Sequence, residues 1–181
     1  CALPILGLML AFDMGGPINK VAYAFMLICV AQGVYTVVAI AAVGICVPPL
    51  GLGLATLIGR KNFSSEEREA GKAALVMGCV GVTEGAIPFA AADPLRVIPS
   101  IMVGSACGTV TAALFGAQCY AGWGGLIVLP VVEGKLGYIA AVAVGAVVTA
   151  VCVNVLKSLA RKKVSQVDQK EDDLDLDFEM N

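Results

Sequence analysis

Two short runs place a carboxylate beside broken helix in otherwise apolar sequence. Glu84 stands in Gly81-Val82-Thr83-Glu84-Gly85-Ala86-Ile87-Pro88, and Asp13 in Phe12-Asp13-Met14-Gly15-Gly16-Pro17-Ile18-Asn19. Each acid is followed four residues later by Pro, with Gly between. An ionisable group at bilayer depth is costly on every scale, so it persists only where it faces a cavity or a partner. Gly and Pro interrupt helix at the same places, and irregular backbone at that depth must line protein or water. A carboxylate there accepts hydrogen bonds, and the chemistry it suits is capture of hydroxyl groups of the sugar type. Such a site discriminates strongly, because an unmatched polar group inside it is costly. The expected substrate-binding residues are Glu84 as principal ligand, Thr83 and Gly85 shaping the break, and Asp13 and Asn19 as further contacts. Lys20 reads equally as a contact or as an interfacial anchor. The alternative use of Glu84 is as the coupling site of a proton- or ion-driven secondary transporter.

The other acids in apolar surroundings have plainer readings. Asp93-Pro94-Leu95-Arg96 reads as a turn in which Asp93 and Arg96 cap the following helix. Glu133 and Lys135, near Trp123-Gly124-Gly125, read as an extracellular loop with an interfacial Trp. The absence of His removes a His general base, an imidazole metal site and phosphohistidine chemistry from this chain. None of the 7 Cys are paired as C-x-x-C, and they read as small apolar packing residues. No phosphate-binding loop of the G-x-x-x-x-G-K-[ST] type occurs, and the few basic residues give no nucleic-acid footprint. No metal and no cofactor are expected.

The elements that must position these groups are membrane spans. The chain is 59% hydrophobic and only 14% charged, with a mean hydropathy of +0.88, against roughly 25% charged residues in soluble domains. Leu136–Leu156 is about 31 Å long as helix and Val97–Gln118 about 33 Å, each close to a hydrocarbon core of about 30 Å. The second carries Gly104-x-x-x-Gly108, a face for close helix packing, and places Pro99 in its first turn. Val21–Cys46, about 39 Å by the same rise, reads as a third span closed by Pro48-Pro49. The opening run Cys1 to Phe12 is too short to span alone, and the chain is expected to lack an N-terminal part.

Charge orients the spans. Arg60, Lys61, Arg68 and Lys72 share one polar loop, and Lys157, Arg161, Lys162 and Lys163 follow the last span. The positive-inside rule places both clusters in the cytoplasm, so an even number of crossings lies between them. Two spans fill that count, and Ala73–Pro94 must then enter and leave on one side. A re-entrant hairpin with Thr83-Glu84-Gly85 near its tip satisfies the count. Ser64 with Glu67 forms a capping-box pattern that predicts a short interfacial helix leading into it. From Val164 onward there is one Lys against seven acids, which reads as solvated disorder. The expectation is an all-α integral membrane protein, a polytopic helical bundle over residues 1–160, with a basic-then-acidic disordered tail over 161–181.

The run Gly81 to Ala90 resembles a signature of the fructose-type IIC membrane components of the phosphoenolpyruvate-dependent sugar phosphotransferase system. Phe12-Asp13-Met14-Gly15-Gly16-Pro17-Ile18-Asn19-Lys20 and Pro48-Pro49-Leu50-Gly51-Leu52-Gly53-Leu54-Ala55-Thr56 resemble two further signatures, in the same order and spacing. The resemblance covers residues 1–160, as the C-terminal half of such a component. It implies a multi-pass permease of the bacterial inner membrane, usually a homodimer in membrane lipid, with a cytoplasmic C-terminus. Its partners would be the IIA and IIB phosphocarrier components, with a sugar as substrate and IIB donating the phosphate from a cysteine. It also implies a sugar-hydroxyl contact for Glu84, two re-entrant hairpins, and a substrate-carrying domain that moves against a dimer scaffold. Related mannitol- and diacetylchitobiose-type components place histidines around their sugar, and this chain has none. The phosphoryl-carrying residue is not expected on this chain.

Overall fold

The structure, a computed structural model, describes residues 2–179, with side chains from Pro4 to Arg161. Seven α-helices follow in order: α1 (Ala2–Phe12), α2 (Pro17–Ala31), α3 (Tyr35–Ile58), α4 (Ser65–Val80), α5 (Ile87–Ala92), α6 (Pro94–Leu114) and α7 (Lys135–Glu179). Single 3-10 turns occur at Arg60–Asn62, Thr83–Ala86 and Leu126–Val131. The only sheet among the described residues is a two-residue antiparallel pairing of Gln118–Cys119 with Val132–Glu133. The all-α membrane expectation holds: α3, α6 and the Lys135–Arg161 part of α7 are long and apolar enough to cross a membrane. Of the expected tail, 161–181, only Arg161 is among the residues whose side chains are described.

α3 is the hub, packed against α1, α2, α4, α6 and α7. Every residue from Val38 to Gly53 is buried, the fate of a helix that is apolar all round. Its boundaries correct the expected third span. The break comes at Gly33, in the left-handed region at φ 75°, and α3 then runs straight through Pro48 and Pro49. Each proline removes one helical hydrogen bond. In a packed apolar surround neighbouring groups satisfy what is freed, so the pair no longer marks an end. α6 also starts earlier than expected, at Pro94, which puts Pro99 in its interior rather than its first turn. The expected small-residue face is present: a Cβ on Gly104 would overlap the Thr149 side chain of α7, and one on Gly108 would sit 3.2 Å from Ala141 O. At Gly104 only glycine allows that approach, and at Gly108 a side chain would be tightly packed.

The capping box forms as its pattern predicts. Glu67 N donates to Ser64 Oγ at 3.1 Å and Ser64 N donates to Glu67 Oε2 at 2.9 Å. The helix it starts is not a short interfacial one but the 16-residue α4. Glu67 also ion-pairs with Lys157, whose ammonium lies 4.2 Å from the centre of the Phe63 ring. Arg161 Nη1 donates to Lys61 O at 2.9 Å. The basic clusters at 60–72 and 157–161 therefore share one end of the bundle, which is the premise of the crossing count.

Between them the chain makes a helical hairpin. α4 rises roughly 24 Å to a left-handed Gly81 at φ 92°, and a 3-10 turn with the six-residue α5 returns it. Both feet, Ser64 to Glu67 and Ala92 to Pro94, line one cleft of ≈ 800 Å³ with Lys61, Lys157 and Arg161. The excursion leaves and returns at the same end.

Candidate functional site

At the hairpin tip lies a cavity of ≈ 280 Å³ lined by Gly15, Asn19, Lys20, Tyr23, Ile45, Gly81, Val82, Thr83, Glu84 and Trp123. The two broken runs, nearly seventy residues apart in sequence, thus form opposite parts of one wall. The chain turns at Met14 (φ 43°) and Gly15 (φ 111°) between α1 and α2. That turn lays the Gly15 backbone against Glu84, so that a Cβ there would stand 2.9 Å from Glu84 Oε1. Glycine at 15 is required by its φ, and a Cβ there would push the Glu84 carboxylate aside.

Glu84 is exposed to this space, and Thr83 is buried beside it. The Thr83 Oγ1 to Glu84 Oε2 separation is 3.5 Å, long for a hydrogen bond. The ion pairs among the described residues do not include Glu84 or Lys20. The cavity therefore combines an acceptor-only carboxylate, a donor-only ammonium, and a hydroxyl and amide able to do both. That mixture matches the alternating donors and acceptors of neighbouring sugar hydroxyls. The volume is just below the roughly 300 Å³ at the small end of ligand pockets.

Two expected contacts have other positions. Asp13 is absent from the cavity lining: Oδ2 accepts from Ile18 N at 2.7 Å and Oδ1 from Asn19 N at 2.9 Å. Those amides are orphan donors at the start of α2, and a carboxylate there also complements the helix dipole. Gly85 is buried and turned to α4, where a Cβ would meet Met77 Cβ at 3.1 Å and Ala74 Cα at 3.2 Å. It shapes the tip without facing the cavity. Asn19 lines the cavity while its Nδ2 donates to Leu10 O at 2.6 Å, which ties α2 to the last turns of α1. Replacing Asp13 by Asn is expected to lower uptake by the intact permease only a few-fold, while costing some stability because an amide keeps one acceptor oxygen and sets an NH₂ donor against one of the two α2 amides. Asp13→Ala should cost about 1 kcal/mol of stability through the lost cap. Labelled-sugar uptake and thermal unfolding in detergent read the two effects.

Asp93 pairs with Arg96 at 2.7 Å, but the expected cap does not form: Asp93 is the N-cap residue of α6 without a side-chain hydrogen bond to the helix start, and Arg96 lies within α6. Glu133 accepts from Tyr120 OH at 2.7 Å, a bond that raises the Tyr120 pKa above its usual value. The site residues that sequence reasoning did not find are Tyr23, Ile45 and Trp123. Trp123 read as an interfacial anchor, yet its Nε1 donates to Val80 O at 2.8 Å. Tyr23 OH donates to Gly122 O at 3.0 Å, and its ring meets Trp123 edge-on, 6.2 Å between centroids. Only the offset of Tyr23 from Asn19, four residues along the same helix face, hinted at its place.

No family profile and no solved structure matches the chain. It is 92% identical over 98% of its length to the fructose-like permease IIC component 2 of Escherichia coli K12, covering 49% of that protein. It is 49% identical over 84% of its length to a fructose-specific EIIB'BC component of Xanthomonas campestris, covering 27% of it. A fructose-specific EIIC component of Haloferax volcanii is 42% identical over 84% of the chain, which covers 41% of that relative. The chain thus spans about half or less of the length of these relatives. The three signatures, the all-α bundle and this degree of identity agree: the chain belongs to the fructose-type IIC permease components of the phosphotransferase system.

Proposed function

We propose that the chain is the sugar-binding part of a phosphotransferase-system permease that imports fructose or a fructose-like hexose and presents it for phosphorylation by IIB. The observation that carries this is a cavity in which the runs around Gly15–Lys20 and Thr83–Glu84 meet, with a carboxylate in its wall that has no ion-pair partner among the described residues. Glu84 holds a sugar hydroxyl by accepting from it, Lys20 and Thr83 donate to its neighbours, and Asn19 braces α2 behind them. In this reading the 64–93 hairpin is re-entrant, both basic clusters and the C-terminus are cytoplasmic, and the protein is a multi-pass component of the inner membrane. The names of relatives called EIIB'BC and, in Bacillus subtilis, EIIABC support IIB and IIA as partners. Homodimerisation is part of the same proposal. No side chain is assigned to carry phosphate; the incoming donor brings it, and Glu84 is a group in the cavity wall able to take the proton from the attacking hydroxyl.

The test is energetic. Vesicles holding the intact permease should accumulate labelled fructose as a phosphate ester only when phosphoenolpyruvate and the phosphocarriers are supplied. Collapse of the proton gradient should leave that uptake unchanged. Uptake of free fructose driven by the gradient alone would instead make Glu84 a proton-coupling site.

A further inference from the structure

The loop Gly122–Gly125 is far from all three signatures in sequence and belongs to none, yet its Trp123 forms part of the cavity wall. Its conformation is tightly specified. Gly125 has φ 103°, and its N donates to Cys46 Sγ at 2.8 Å. Its carbonyl accepts from Tyr138 OH at 3.0 Å. Gly124 is pressed against α3, where a Cβ would come within 2.8 Å of the Ile45 side chain. Across the gap, Gly81 at the hairpin tip is packed on the Gly124 backbone. The indole of Trp123 is then fixed by its bond to Val80 O and by the perpendicular Tyr23 ring. Val80 ends α4, so the accepting carbonyl is one that its own helix leaves without a partner.

An aromatic ring held this firmly, still 44% exposed and bordering the same cavity as Glu84, has a surface available to a ligand. Hexose rings carry hydroxyls around the rim and C–H groups on their faces. Polar groups at Glu84, Thr83, Lys20 and Asn19 match the rim, and an indole matches a face. We propose that Trp123 is a direct sugar-binding residue, stacking on the C–H face of the hexose, and that its bond to Val80 locks it in register with the hairpin tip. This rests on the reading of the cavity as a sugar site. The carboxylate fixes which hydroxyl is held; the indole selects a closed ring over an open-chain polyol, whose C–H groups present no flat face.

Because Trp123 is the only Trp of this chain, its emission reports on the cavity once the signal of a Trp123→Phe variant is subtracted. Fructose titrated into the intact permease in detergent should shift that difference emission and saturate. Trp123→Ala should raise the apparent KM for fructose about tenfold, the equivalent of about 1.4 kcal/mol, with maximal uptake within about threefold. Trp123→Phe, which keeps a ring, should lie between it and the wild type and guards against a simple folding defect. Wild-type protein that binds labelled fructose with no change in the Trp123 emission, and Trp123→Ala with an unchanged KM, would overturn the inference while leaving the sugar site intact. Wild-type protein that binds no fructose would remove the sugar-site reading itself, and the stacking role with it.

Discussion

Intact permease carrying Glu84→Gln is expected to insert normally and to lose coupled fructose uptake by at least about a hundredfold, or about 2.7 kcal/mol. The substitution keeps size and shape but replaces two charged acceptor oxygens by one neutral acceptor and an NH₂ donor. Hydrogen bonds to a charged group contribute roughly 1.5–3 kcal/mol each, about twice a neutral one. A donor aimed at a hydroxyl arranged to donate adds an unmatched contact, and sites built on hydroxyl recognition reject such mismatches strongly. Gly15 offers no relief, because its backbone is already packed on the carboxylate side chain. Glu84→Asp keeps the charge but withdraws it by one methylene, and should retain partial activity with a raised KM. Uptake of labelled sugar, set against the amount of protein in the membrane, measures both. Near-normal uptake by Glu84→Gln would mean that the carboxylate binds nothing essential.

Gly81→Ala is expected to damage fold and function together, which distinguishes it from Glu84→Gln. Gly81 sits at φ 92°, where an L residue pays roughly 1–2 kcal/mol. Its Cβ would also overlap the Gly124 carbonyl and approach Gly125 N to 2.9 Å. Overpacking at a tight contact adds typically 1–3 kcal/mol. The shift would part the hairpin tip from the Trp123 loop and open the cavity between them. Gly116→Ala is the matched control: its φ is 61°, but nothing lies within 4 Å of the added Cβ. Thermal unfolding in detergent should therefore show a larger loss for Gly81→Ala than for Gly116→Ala, and only the former should abolish uptake. Equal shifts with uptake unchanged in both would mean that the tip contact is unimportant.

Much of this architecture was legible because its causes are local. The Ser64–Glu67 capping box, the start of α7 at Lys135 beside the expected Leu136, and the Asp93–Arg96 pair are each set by residues within a few positions of one another, whereas α6 ends at Leu114, short of the expected Gln118. The position of Glu84 was legible for a broader reason, the cost of a charge in apolar sequence. Asp13 shares its grammar and meets a different fate. A turn of two positive-φ residues swings the start of α2 back, so that the Asp13 carboxylate reaches the Ile18 and Asn19 amides instead of the cavity. Pro48-Pro49 misled for a related reason. Proline ends a helix exposed to water, but inside a bundle the packing of α3 outweighs two missing hydrogen bonds. Trp123 and Tyr23 were out of reach because their places depend on contacts spanning 43 and 99 residues, which no local pattern encodes.

The measurement that bears most directly on the central claim is a structure of the intact permease with fructose bound. The account predicts one sugar in the cavity between α2 and the hairpin tip, a hydroxyl within hydrogen-bond reach of Glu84, and its ring against Trp123. Fructose found at another place, with this cavity empty and Glu84 contacting only protein, would contradict it.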